Sequence, residues 1–170
     1  IVNLYGPTET TMACCFHIVD REPVGGVQPI GRPIPDTDIL VMRADGTMCG
    51  INEPGEIVIR TPFRSLGYFG RSAGSDERFI ANPYRDDDVD QLYRSGDVGR
   101  LRPDGLLAIA GRNDDQVKIR GVRIEPAETA ALLGRHPGVS RCFVLPRRDQ
   151  RGDTYLAAFV VPQRTDEAGL

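Results

Sequence analysis

The apolar residues of this chain fall in short runs that have the period of a β-strand. In "GEIVIR", Gly55 to Arg60, Ile57 and Ile59 occupy alternate positions, so their side chains point to one face of an extended segment. The clearest continuous apolar run, "YLAAFVV" from Tyr155 to Val161, is well below the ~18 residues that a membrane-spanning helix requires. The pattern therefore predicts a mostly β fold and no membrane helix.

Turn residues divide the first part of the chain into further strands. A β-rich run covers Ile30 to Met42, and "PDG" at Pro103 to Gly105 predicts a hairpin. The segment Leu92 to Arg112 that contains this hairpin is interpreted as strand, loop, strand, hairpin and strand. The polar stretch Thr61 to Asp90 is predicted to be a long surface excursion with a short helix at Ser75 to Phe79.

The clearest helix signal begins at Glu125-Pro126, because proline is favoured at the first helical position. The predicted helix continues through Ala127 to Leu133, and Gly134 and Pro137 end it. Strands are predicted on both sides of it, at Gln116 to Ile119, Ser140 to Leu145 and Tyr155 to Val161. With a boundary at the polar residues Asn113 to Asp115, we expect one unit at 1–113 and a small α+β unit at 114–170.

Charge and cysteine usage exclude several classes of function. The formal net charge is −3, with 24 acidic against 21 basic residues, which is not the basic balance typical of nucleic-acid-binding proteins. The 4 cysteines show no CxxC spacing, and the chain has only 2 histidines, so a zinc site is not expected. Free cysteines suit a reducing compartment, and we expect a cytoplasmic protein without nucleic-acid or membrane partners.

The motif "NLYGPTETT", Asn3 to Thr11, groups residues that suit a nucleotide. Gly6-Pro7 forces a turn, and Thr8 offers a hydroxyl and a backbone N–H to a phosphate. Tyr5 presents an aromatic face to a flat base, and Glu9 supplies the oxygen ligand that Mg²⁺ prefers. The alternative interpretation is structural: Thr8 caps a helix that starts at Glu9.

Two more polar motifs lie downstream, and each has a simpler explanation. In "YRSGD", the Asp97 carboxylate can accept hydrogen bonds from vicinal ribose hydroxyls, or it can be an ordinary turn residue. In "GRNDDQVKIRG", Arg112 to Gly121, the charges suit phosphate contact, a hinge or an exposed strand. The chain contains neither a GxxxxGK[ST] phosphate loop nor a GxGxxG motif, so those nucleotide-binding classes are excluded.

Five segments in the same order resemble core motifs of one family, the adenylation domains of nonribosomal peptide synthetases. This family belongs to the adenylate-forming superfamily, which also contains acyl-CoA synthetases and luciferases. The segments are "NLYGPTE", "GEIVIRTPFRSLGYF", "ERFIANPY", "YRSGDVGRLRPDGLLAIAGR" and "DDQVKIRGVRIEPAE". The resemblance implies the β-barrel-like end of a large N-terminal subdomain at 1–113 and the start of the small C-terminal subdomain at 114–170.

The resemblance also implies a reaction, in which an amino acid and MgATP give an aminoacyl adenylate and pyrophosphate. The acyl group then passes to the phosphopantetheine thiol of a peptidyl carrier protein, among other synthetase domains. By this resemblance Tyr5 and Gly6 lie at the adenine, Thr8 contacts the α-phosphate and Glu9 holds magnesium. Asp97 takes the ribose hydroxyls, with Arg112 nearby.

Further roles follow from the same resemblance. Leu4, Met12 and Ala13 would line the substrate side-chain pocket, and their apolar character favours a hydrophobic amino acid. Asp114 matches the hinge about which the small subdomain rotates. Lys118 and Gly121 would lie in the loop that faces the pantetheine arm.

The chain also departs from the family pattern. Lys118, the only lysine, aligns with the hinge-side motif and not with the family's catalytic lysine. We therefore expect residues 1–170 to be a segment of a longer enzyme that is inactive by itself. An acyl- or aryl-CoA ligase of the same superfamily and a non-catalytic docking module remain as alternatives.

Overall fold

Strands dominate the fold, as the short apolar runs predict. The computed structural model describes residues 1–20, 22, 27–69, 78–87 and 89–163, in which it places twelve strands and one helix. The chain divides into two compact units, Ile1–Asn113 and Asp114–Leu170. Each unit is treated by itself below. No helix in the described part of the chain is long and apolar enough to cross a membrane.

The first unit contains two antiparallel sheets. A three-stranded sheet has the order β1-β2-β3, and a five-stranded sheet has the order β4-β5-β7-β6, with β8 also paired to β7. The strands are β1 (Val2–Tyr5), β2 (Cys15–Ile18), β3 (Arg32–Pro33), β4 (Asp38–Met42), β5 (Gly55–Arg60), β6 (Phe79–Ala81), β7 (Gln91–Leu101) and β8 (Leu107–Arg112). The long strand β7 thus pairs with β5, β6 and β8.

Strand β5 forms the centre of the core because both of its faces are buried. Ile57 and Ile59 pack in one apolar cluster with Tyr93, as their alternation predicts. Val58 points the other way but is also buried, in a second cluster with Leu92. The sequence alternation therefore identified the inward face of β5 and missed that its opposite face is covered too.

Two local predictions for the first unit are wrong. Phe79 begins strand β6 instead of ending a helix, and residues 75–77 of that predicted helix lie outside the described residues. The loop predicted after Leu92 is absent, because β7 runs without interruption through residues 91–101. The hairpin is confirmed: the Gly105 N–H donates to the Arg102 carbonyl at 2.9 Å.

The second unit has the order β9 (Val117–Ile119), β10 (Val122–Ile124), α1 (Pro126–Leu133), β11 (Val139–Arg148) and β12 (Thr154–Pro162). The helix begins at its proline as predicted, and the Gly134 N–H closes its last turn on the Ala130 carbonyl at 2.9 Å. Cys142 on β11 donates its thiol to the same carbonyl at 2.9 Å, which fixes the helix to the β11–β12 hairpin.

Strand β10 was not predicted. It pairs with β9 through a tight turn in which Arg120 and Gly121 have φ angles of 50° and 83°. Positive φ at both central positions is typical of a type I′ hairpin, whose usual sequence is Asn-Gly or Asp-Gly. Because arginine stands at the first of these positions, the sequence lacks the usual signal for this turn.

Candidate active site

Three strands bring Tyr5, Asp97 and Arg112 together, although Tyr5 and Asp97 are 92 positions apart in the chain. The Tyr5 hydroxyl donates to Asp97 Oδ2 at 2.6 Å, and Arg112 Nη1 donates to Asp97 Oδ1 at 2.5 Å. Asp97 and Arg112 face each other across β7 and β8. We call Tyr5, Asp97 and Arg112 the triad.

The chemistry of the triad suits the recognition of hydroxyl groups. Burial, and then the neighbouring Asp97 carboxylate, raises the pKa of the Tyr5 phenol above its ordinary range, so the phenol remains a proton donor at neutral pH. Each carboxylate oxygen of Asp97 has two lone pairs, and the hydrogen bonds described above use one lone pair on each oxygen. The carboxylate therefore retains acceptor capacity for the hydroxyls of a ligand.

The loop that follows β1 is a compact turn and not a helix. The Thr10 N–H and hydroxyl both donate to the Pro7 carbonyl, at 3.0 and 3.1 Å, and Thr8 is exposed. A Cβ added to Gly6 would lie 2.8 Å from the Ala13 Cα, so the returning chain leaves room only for glycine. The alternative in which Thr8 caps a helix at Glu9 is wrong, and the loop holds Thr8 and Glu9 just beyond Tyr5.

Glu9 is buried, at 7% exposed, and its carboxylate is held by a second loop. The Tyr68 hydroxyl donates to Glu9 Oε1 at 2.5 Å, and the Ser65 N–H donates to the Glu9 carbonyl at 2.7 Å. Burial and then this hydrogen bond raise the pKa of the Tyr68 phenol, so it too remains a donor. Sequence reasoning missed Tyr68, since nothing in its position predicts contact with the first loop.

The Glu9 carboxylate fits a magnesium ion that is bound together with a nucleotide. Among the described residues there is no group of three or more His, Cys, Asp or Glu side chains that could hold a metal by itself. Mg²⁺ is usually bound through one or two carboxylates, with water and substrate phosphates as the other ligands. Glu9 can supply such a carboxylate.

Among the predicted substrate-pocket residues, Leu4 points to the face of β1 opposite that of Tyr5, and Met12 and Ala13 lie in the loop between β1 and β2. Leu4 and Met12 are 57% and 88% exposed, and Ala13 is partly buried. Leu4 belongs to an exposed apolar face of the β1–β2 pair, in which cross-strand partners lie side by side. This apolar face consists of Val2, Leu4, Phe16 and Ile18.

The remaining predicted residues belong to the second unit. Asp114 is its first residue, and Asp114 Oδ1 accepts the Gln116 N–H at 3.3 Å. Lys118 is exposed on β9 opposite Arg123, and Gly121 forms the positive-φ turn described above. The local backbone therefore already requires glycine at position 121.

Comparison with known proteins decides the family. A family model for AMP-binding enzymes matches residues 1–69. The dimodular nonribosomal peptide synthase of Bacillus subtilis strain 168 is 42% identical over 161 residues, 95% of this chain and 7% of that protein. Gramicidin S synthase 2 of Brevibacillus brevis is 37% identical over 162 residues, 95% of this chain and 4% of that protein. Residues 1–69 belong to the AMP-binding enzyme family, and 95% of the chain is similar to nonribosomal peptide synthetases.

Solved structures agree with this family. PA1221, an NRPS protein containing adenylation and PCP domains, superposes with a TM-score of 0.76 at 32% identity over 95% of this chain and 33% of that one. IdnL1 superposes with a TM-score of 0.78 at 27% identity over 99% of this chain and 34% of that one. The chain thus has part of the adenylation-domain fold, as its motifs predicted, and it spans only a small part of its curated relatives.

Proposed function

We propose that the complete protein containing these residues activates an amino acid with ATP. An oxygen of the substrate carboxylate attacks the α-phosphorus, the bond to the β-phosphate oxygen breaks, and aminoacyl-AMP and pyrophosphate form. The phosphopantetheine thiol of a peptidyl carrier protein then attacks the aminoacyl carbonyl, forms a thioester and releases AMP. The observation that carries this proposal is the triad, which presents one carboxylate between a phenol and a guanidinium. Residues 1–170 alone would not complete the reaction, because their only lysine, Lys118 on β9, does not match the catalytic lysine of the family.

Within this proposal the triad binds the nucleoside. Asp97 accepts hydrogen bonds from the ribose hydroxyls, and Arg112 keeps that carboxylate oriented. The Tyr5 ring lies against the adenine while its hydroxyl stays on Asp97. Catalysis then consists mainly of positioning and of neutralising phosphate charge.

The loop after β1 would serve the phosphates. Thr8 is exposed and can donate to the α-phosphate, and Glu9 would hold magnesium, which neutralises phosphate charge when it is bound. Gly6 lets this loop fold back closely enough to stay beside Tyr5. Leu4, Met12 and Ala13 would contact the amino acid side chain, and their apolar surface favours a hydrophobic substrate.

The second unit would serve the transfer step. Asp114 is proposed as the hinge, and Lys118 and Gly121 as the side that the pantetheine arm approaches. The similarity to PA1221, whose structure contains adenylation and PCP domains, supports a carrier-protein partner. Four free cysteines suit a cytoplasmic location.

A CoA ligase is the second candidate, favoured by one structural similarity. The o-succinylbenzoate CoA synthetase of Bacillus subtilis superposes with a TM-score of 0.77 at 27% identity over 98% of this chain. The two candidates predict the same first half-reaction on different carboxylic acids, so the choice of acid distinguishes them.

The test is amino-acid-dependent exchange of labelled pyrophosphate into ATP by the complete protein, with a panel of amino acids and aryl acids. Exchange with one or a few amino acids supports the proposal and names the substrate. Exchange with aryl acids alone supports the CoA ligase, and no exchange with any acid contradicts both. Glu9→Gln should abolish most of the exchange, whereas Glu53→Gln, on an exposed hairpin, should retain it.

The hinge has its own test. Asp114→Pro should lower transfer to the carrier protein more than pyrophosphate exchange, because proline restricts the backbone rotation that a hinge must absorb. Asp114→Asn, which keeps the oxygen that accepts the Gln116 N–H, is the control. Equal loss of both half-reactions in Asp114→Pro would contradict the hinge role.

A further inference from the structure

Strand β7 carries a bulge at the position of Asp97. Glu56 on β5 pairs with Val98, and Val58 pairs with Arg94, so one residue of β5 faces the three residues Ser95–Asp97 of β7. Such bulges bend a strand and change the direction in which a side chain points, and they are frequent beside active sites. The bulge therefore determines where the Asp97 carboxylate lies.

The backbone of strand β5 holds Ser95, the first residue of this bulge. The Ser95 hydroxyl donates to the Ile57 carbonyl at 2.7 Å and accepts the Asp97 N–H at 3.0 Å. Ser95 is 2% exposed, so both hydrogen bonds are shielded from water.

The Glu56 carboxylate holds the centre of the bulge. Its Oε1 accepts the Gly96 N–H at 3.1 Å. Its Oε2 accepts from Arg94 Nε and Nη2, at 2.9 and 2.5 Å. The Glu56 side chain is only 11% exposed, so this carboxylate is nearly buried and joins β5 to Arg94 before the bulge and to Gly96 within it.

We propose that Glu56 is a positioning residue for Asp97: its carboxylate, paired with Arg94, fixes the bulge that presents Asp97 to the nucleotide. This inference rests on the proposed function, because it assigns Asp97 to the ribose. Glu56 itself touches neither Tyr5 nor Arg112 through any hydrogen bond in the structure; it acts on the triad through the backbone of Gly96. Without it the Gly96 N–H and the Arg94 guanidinium lose their partner, and the bulge is free to shift.

The experiment compares two ligands of the complete protein by calorimetry: ATP and 2′,3′-dideoxy-ATP, which lacks both ribose hydroxyls. The wild-type protein should prefer ATP by ~10-fold or more, since hydrogen bonds to a charged acceptor contribute on that scale. Glu56→Ala should weaken ATP binding by ~10-fold and leave dideoxy-ATP binding within ~2-fold, so that the preference disappears. A loss of stability alone would not change this ratio.

Glu53→Ala is the matched control, because Glu53 also accepts an arginine and a glycine N–H, from Arg43 and Gly50, but on an exposed hairpin. It should keep the wild-type preference. Glu56→Gln keeps an acceptor for the Gly96 N–H and should lose only part of the preference; it carries the test if thermal unfolding shows that Glu56→Ala does not fold.

The two possible failures are separable. A wild-type protein that binds both ligands equally refutes the ribose role of Asp97 and with it this inference, whereas the proposed function is decided separately by pyrophosphate exchange. A wild-type preference that survives in Glu56→Ala, or in Glu56→Gln where only that variant folds, overturns the positioning role and leaves the proposed function standing.

Discussion

The hydrogen bond between Tyr5 and Asp97 should make a measurable contribution to the stability of the first unit. Tyr5→Phe removes one hydroxyl and keeps the ring, so the packing around Tyr5 is unchanged. The lost bond is 2.6 Å long and ends on a carboxylate that is 14% exposed. A hydrogen bond to a charged group contributes ~1.5–3 kcal/mol, so local opening of the triad should become easier by ~2 kcal/mol.

Native-state hydrogen exchange measures this opening directly in the complete protein. Two backbone amides report on the triad: the Cys14 N–H, bonded to the Tyr5 carbonyl at 2.7 Å, and the Asn113 N–H, bonded to the Gly96 carbonyl at 2.9 Å. Because ~1.4 kcal/mol corresponds to a tenfold change, ~2 kcal/mol predicts exchange about 30-fold faster at both amides.

Tyr84→Phe provides the matched control. The Tyr84 hydroxyl donates to a neutral acceptor, the Gly46 carbonyl, at 2.9 Å in an exposed position. Its removal should leave the Cys14 and Asn113 amides unchanged. If both amides exchange within about 3-fold of wild type in Tyr5→Phe, the hydrogen bond contributes too little for the argument to stand.

Three further outcomes are expected. Gly6→Ala forces a Cβ to 2.8 Å from backbone atoms and should lower the free energy of unfolding by ~1–3 kcal/mol; an unchanged thermal midpoint would contradict the close approach. Hydrogen bonding to Arg60 lowers the pKa of Asp90, so its stabilisation is present above the ordinary carboxyl pKa and lost as pH falls through the lowered value. Asp90→Asn should therefore reduce the thermal midpoint at pH 7 and hardly at all near pH 2; an equal reduction at both would refute the ion pair. Tyr68→Phe should raise the magnesium concentration needed for pyrophosphate exchange, because Glu9 loses its fixed orientation; an unaltered magnesium dependence would show that the hydrogen bond is not required.

Local signals in the sequence were sufficient to predict those turns, helix ends and strands that depend on neighbouring residues alone. The helix begins at Pro126 and the hairpin turns at Gly105, because proline and glycine restrict or permit backbone angles by themselves. The strand Gly55–Arg60 was predicted with its correct bounds from apolar alternation. The burial of Val58 was missed, since a strand covered on both faces cannot be recognised from one face's pattern.

The candidate site was harder to predict because its contacts join distant positions. Sequence motifs indicated Tyr5 and Asp97 separately, and only the packing of the two sheets brings the Tyr5 hydroxyl to 2.6 Å from Asp97 Oδ2. A loop between two strands was predicted where β7 continues through the bulge. Glycine often interrupts a strand, and the sequence does not show that Glu56 accepts the Gly96 N–H. Residues that act through the backbone of another residue leave no signal in a single sequence.

The apolar face of the β1–β2 pair has a practical consequence for anyone who produces these residues as a recombinant domain. Val2 lies beside Ile18 and Leu4 beside Phe16, and all four side chains are 39–64% exposed. An exposed patch of large apolar side chains that includes the edge strand β1 is a template for self-association. These residues produced by themselves should thus aggregate in a concentration-dependent way, and threonine substitutions at Phe16 and Ile18 should reduce this aggregation.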